Sequence, residues 1–197
     1  MRLQTLLLIT VIFVPCSYAA EEPTAFNPFA PKIQEPRDDA VAGYLEMSDG
    51  VIHVGRFYLT KDKRLELYDS NVKRQRQIPL NVLKSIDCEI EKEFYEKEWR
   101  FKELASNEKY YTGREYPARE YVHTLTLKDS RKILGPLSGI VYMESLDEKE
   151  KSEPAKFLLH KRDKGEYGTK LRDLKYVKSI HFGDEAVEIG KTKQKKR

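Results

Sequence analysis

Cysteine is scarce in this chain: Cys16 and Cys88 are its only two in 197 residues. That is too few for a disulfide framework. Histidine is equally thin, and His53, His123, His160 and His181 fall in neither an H-E-x-x-H nor a paired-histidine spacing. Metal binding needs clustered His, Cys, Asp or Glu, so no metal site and no cofactor are expected. There is no G-x-S-x-G and no glycine-rich phosphate loop, the local settings that activate a nucleophile or cradle a phosphate. Leu137-Ser138-Gly139 lies in an expected strand, where packing explains it. These absences leave no catalytic constellation. The many glutamates leave paired carboxylates open as a hydrolytic pair, although they crowd into one run where a solvated face is the usual reason.

Long apolar runs are also missing, with one exception at the start. Arg2 precedes the run Leu6 to Val14, broken only by Thr10. Pro15 ends it, and Ser17-Tyr18-Ala19 has the small–x–small form of a signal peptidase site. The run is too short for a membrane span, which needs roughly 20 apolar residues. Residues 1–19 are therefore expected to be a signal peptide, cleaved after Ala19, with the mature protein periplasmic or secreted. Cleavage leaves 178 residues, removes Arg2 and no acid, and takes the net charge from +4 to +3. It also removes Cys16, so Cys88 has no internal partner. An exported chain without disulfides must hold itself by apolar packing. Cys88 alternates with Ile86 and Ile90, the pattern of a strand's buried face.

What the chain does contain is a pattern used twice. Leu45, Met47, Asp49, Gly50, Val54, Gly55 and Phe57 match Leu125, Leu127, Asp129, Ser130, Leu134, Gly135 and Leu137 at an offset of 80. Leu80, Lys84, Ser85 and Ile86 match Leu174, Lys178, Ser179 and Ile180 at 94. A fixed spacing between similar segments is the signature of a repeat. In each copy an apolar/polar alternation runs into a turn, Asp49-Gly50 or Asp129-Ser130, and a return strand follows. Asp49 and Asp129 are placed as turn residues that accept from local backbone amides. Gly55 suggests a bulge or bend in the first return strand, and the second return strand passes Gly135 at the matching place.

The fold expected is mainly β. It consists of two related small antiparallel barrel-like units, residues 41–88 and 120–183, with an insert between them. A Pro-rich linker covers 20–39, where Pro23, Pro28, Pro31 and Pro36 stand among charges. The insert, 89–119, combines Glu and Lys with Ile90, Phe94, Phe101 and Leu104 at a 3.6-residue period, which predicts a helix. A hairpin carrying Trp99 and Phe101 is the competing form. Tyr110 to Tyr121 is expected to be a Tyr-rich loop. The tail, residues 190–197, holds Lys191, Lys193, Lys195, Lys196 and Arg197 and is expected to be disordered.

The arrangement apolar-x-apolar-x-Asp-Gly, followed by apolar-Gly-x-apolar, resembles the opening of Sm-like and SH3-like small barrels. The resemblance covers roughly 50 residues of each repeat. It implies two small barrels and, for the Sm-like case, an RNA site built from an Asn and an Arg-Gly. Thr60-Lys61-Asp62-Lys63-Arg64 has no Asn, and Lys84-Ser85 and Lys178-Ser179 stand where Arg-Gly would be. Those departures, with export, count against nucleic acid as the partner. The overall layout resembles uncharacterised secreted bacterial proteins with paired small β-domains.

The candidate binding residues are two basic clusters, Lys73, Arg74 and Arg76 in one repeat and Lys161, Arg162 and Lys164 in the other. Both are expected in loops before the closing strand, as one face for an anion. The leading function is a non-catalytic binding or scaffolding protein that engages an anionic envelope polymer or a protein partner. An enzyme with a site between the repeats is the alternative.

Overall fold

The computed structural model describes residues 37–103, 107–146 and 153–196. The expected signal peptide and nearly all of the linker lie outside that range. Val41–Met47 (β1) and Ile52–Tyr58 (β2) form the first hairpin. Its turn is a three-residue loop closed by Gly50, whose φ is 82°. Gly50 N–H donates to the Met47 carbonyl at 2.9 Å, and Val51 N–H donates to Asp49 Oδ1 at 3.0 Å. Glycine suits that left-handed position because it has no Cβ to clash.

Leu65–Asp69 (β3) and Arg74–Ile78 (β4) form the next hairpin. Leu83–Phe101 (β5) and Lys109–Leu127 (β6) are two strands of 19 residues that pair along their length. Lys132–Gly135 (β7) returns along β6, and Leu137–Ser145 (β8) continues beyond Pro136 to pair with β2 and β3. Ala155–Leu159 (β9) pairs with β8, and Arg162–Lys164 (β10) with β6. Val177–Phe182 (β11) lies between β1 and β5. Asp184–Lys195 (α1) is the one helix longer than a single turn among the described residues.

The result is mainly β and antiparallel, in the strand order β10-β6-β5-β11-β1-β2-β8-β3-β4, and the sheet is not closed. Both halves of the chain supply one hydrophobic core. Leu45, Phe57, Leu67 and Ile86 from the first half meet Leu125, Leu137, Val141 and Ile180 from the second, each nearly or wholly buried. Burying a large aliphatic or aromatic side chain stabilises by about 2 kcal/mol. A shared core therefore couples the two halves energetically.

The pairings recur at the sequence offsets. Gly43↔Gly55, Tyr44↔Val54 and Leu45↔His53 in the first hairpin correspond to His123↔Gly135, Thr124↔Leu134 and Leu125↔Ile133 in the β6–β7 hairpin. Leu45↔Ile180 corresponds to Leu125↔Ile86, and Ile86↔Ile180 maps onto itself. Ser48 N–H donates to the Tyr176 carbonyl, and Lys128 N–H to the Val82 carbonyl, both at 2.9 Å. The last strand of each half pairs with the first strand of the other.

Several expectations are corrected. Residues 89–101 are strand, not helix, so the insert takes its hairpin form. The i,i+4 pairs Glu93–Lys97 and Glu98–Lys102 would each contribute only about 0.3 kcal/mol to a helix. The ladder to β6 pairs Phe94, Tyr95 and Trp99 with Ala118, Pro117 and Tyr111 instead, a setting where aromatics pack well. Tyr110 to Tyr121 is correspondingly strand rather than loop. The basic tail is helical through Lys195. Ala186 and Val187 pack on Tyr44 and Val54, and Lys193 donates to Glu46 Oε2 at 2.9 Å. Gly55 lies in unbroken register with Gly43, so it marks no bulge. A Cβ there would strike the Glu144 carbonyl oxygen, and one at Gly135 would strike that of Tyr68. Both glycines admit a neighbouring backbone.

Candidate functional site

The groove beside β4 begins with Asp69. Leu65, Leu67 and Asp69 alternate on the buried face of β3. A carboxylate at the end of that face needs partners. Asn71 N–H donates to its Oδ1 at 3.0 Å, and Arg76 Nε sits 2.7 Å from its Oδ2. Asp69 is thereby 3% exposed and fixes the turn into β4. Lys73, in the left-handed region with φ of 52°, completes that turn.

β4 is the last strand in the sheet order. Its side away from β3 pairs with no other strand among the described residues. Every second residue of such an edge turns its N–H and C=O outward. A groove of about 600 Å³ runs beside it. Val72, Ile78, Val82, Leu127 and Ile133 supply apolar lining; Arg74, Arg76, Arg131 and Lys132 supply charge against the single carboxylate of Asp69. Arg76 is matched by Asp69, and Arg131 by Asp129 at 2.7 Å. That contact holds the Asp129 carboxyl below its usual range. Arg74 and Lys132 have no ion pair among the described residues.

Of the six predicted binding residues, Arg74 and Arg76 line this groove, on an edge strand rather than in a loop, and Lys73 precedes them. Arg162 and Lys164 belong to β10, at the other end of the strand order. Both are engaged there with Glu96, at 2.8 and 3.7 Å. Arg162 also stacks over Phe94 and Lys164 over Tyr116. Lys161 is exposed just before β10, and its carbonyl accepts from Tyr121 N–H. Two cations of the second cluster are thus committed to a local carboxylate. Sequence reasoning missed Arg131 and Lys132. Their signal was their place directly after the Asp129-Ser130 turn. Asp49 and Asp129 act as expected, each accepting from the backbone two residues on.

A second cavity, of about 830 Å³, mixes Asp38, Asp39, Asp62 and Asp184 with Arg56, Lys63 and Arg64. No Ser, Cys or His side chain lines either cavity. Apart from Asp69, the buried polar residues lie elsewhere. Cys88 and His123 are cross-strand partners. Burial pushes the Cys88 thiol up to about 12 and the His123 imidazole down to about 4. A protonated thiol opposite a neutral imidazole is a packed pair, not an activated nucleophile.

The chain matches no protein-family model, no curated protein and no solved structure.

Proposed function

We propose that this chain is a non-catalytic binding protein that takes an extended acidic protein segment as an added strand beside β4. The observation that carries the reading is an unpaired strand edge running along a basic, partly apolar groove. Strand addition draws affinity from main-chain hydrogen bonds and specificity from alternate side chains. Apolar residues of the guest would meet Val82, Leu127 and Ile133. Its carboxylates would meet Arg74 and Lys132, whose charge is not already spent. We propose the same protein to be exported, which would give it envelope or secreted partners.

The experiment is a fluorescence-anisotropy titration with a labelled peptide of alternating Glu and Val. R74S/K132S should weaken binding about tenfold, two exposed charges each contributing about 0.7 kcal/mol. Binding should also weaken as salt rises. Absent binding, or affinity unchanged in the variant, contradicts the reading. Equal affinity for a polyphosphate, which has no amide backbone, would point to an anionic polymer instead.

We also propose that the chain is a tandem duplication of a small unit of the Sm-like or SH3-like kind, with the closing strands exchanged between copies. The equal pairing registers of the β1–β2 and β6–β7 hairpins support this. So does the symmetric placement of β5 and β11.

A further inference from the structure

The β5–β6 hairpin extends beyond the core as an arm. β11 covers β5 only at Ser85, Ile86 and Asp87. From Glu89 to Phe101 that edge of β5 pairs with no strand among the described residues. The arm also carries Tyr95, Trp99, Phe101 and Tyr111, which are 39–66% exposed.

We propose that a second copy of this chain covers the edge, the two β5 strands pairing antiparallel about a two-fold axis at Tyr95. A two-fold contact requires a surface complementary to itself. The stretch Lys92-Glu93-Phe94-Tyr95-Glu96-Lys97-Glu98 has that property. With Tyr95 facing its own symmetry mate, Lys92 opposes Glu98 and Glu93 opposes Lys97, on both sides of the axis. Opposite charges directly across a strand pair stabilise it, and like charges oppose it. Slipping the register by one residue sets Glu93 against Glu96 and Lys92 against Lys97. Charge on an edge normally deters pairing; here it disfavours both one-residue slips, the other of which sets Glu93 against Glu98. Lys92 and Lys97 have no ion pair within the described chain. Phe94 is the other centre that opposes unlike charges, but Arg162 stacks over it and two cations already hold Glu96; in the Tyr95 register Glu93 meets one cation, Arg119, and Glu98 bonds Thr112 and, at 3.5 Å, Arg100.

The test is sedimentation of the full chain with single charge swaps. The unaltered chain should show a concentration-dependent monomer–dimer equilibrium. K92E and E98K should each weaken it about tenfold, because each sets like charges opposite one another twice. An equimolar mixture of the two should recover the unaltered affinity, since every altered pair is again of opposite sign. In a chain with Cys16 and Cys88 replaced by Ala, Y95C should form a disulfide-linked dimer on mild oxidation and E91C should not. A chain that stays monomeric at every attainable concentration overturns the proposal. So does a mixture no tighter than its components, or a Y95C chain that fails to cross-link.

Discussion

His123 is 1% exposed and its Nδ1 has no hydrogen-bond partner among the described residues. Burial is the main cause of its lowered pKa, with the charge on His160 adding to it. An unfolded histidine titrates near 6.5, whereas the folded group titrates at about 4. Between those values the unfolded chain binds the extra proton, so stability rises with pH through the window. It is complete above about pH 6.5, and as the pH falls to 4 the loss is at most about 3 kcal/mol. His53 and His181 are shifted the same way by burial. Urea unfolding should thus give a lower stability at pH 5 than at pH 7.5. H123Q should flatten that dependence without abolishing it; an equal slope in the variant would contradict the assignment. Cys88 as a buried small side chain was legible from its alternation with Ile86. Its partner was not, because His123 lies on a different strand and only the register joins them.

At the scale of elements, α1 turns on Gly190. A helix-interior glycine ordinarily costs about 1 kcal/mol relative to alanine. Here a Cβ would lie 2.6 Å from Tyr44 Cβ and 2.9 Å from Val54 Cγ2. The packing cost reverses the sign, and G190A should destabilise by about 1–3 kcal/mol. Far-ultraviolet dichroism should show α1 loosening at lower temperature than the sheet; a stabilised variant would contradict this contact. The helix was hidden in the sequence because its lysines suggest a solvated tail. Ala186, Val187 and Gly190 form a narrow face, and Lys193 finds Glu46 only once β1 is in place. The arm was hidden for the opposite reason. Glu and Lys favour a helix locally, while the tyrosines that select a strand stand in the partner segment. The hairpin turns were legible, since Asp49-Gly50 and Asp129-Ser130 carry their own hydrogen bonds.

At the scale of the molecule, the pairing of strands from one half with strands of the other sets how the halves depend on each other. β11 completes the sheet beside β1, and β5 completes it beside β6. A chain cut between Phe101 and Lys109 should yield two fragments that fail to fold alone and fold when mixed. Heteronuclear NMR spectra would show this; a dispersed spectrum from either fragment alone would contradict it. The offsets of 80 and 94 marked similar segments, and the shared core and the pairing of β5 with β6 and of β11 with β1 were beyond them. Periodicity shows that segments are alike, not which copy each pairs with.

We propose the β4 groove as the place where a partner adds, and hydrogen exchange tests that most directly. With the Glu/Val peptide bound, backbone amides of Arg74–Ile78 should exchange markedly more slowly, and those of β10 should be unchanged. Protection confined to other strands, or none at β4 while the peptide binds, would contradict strand addition there.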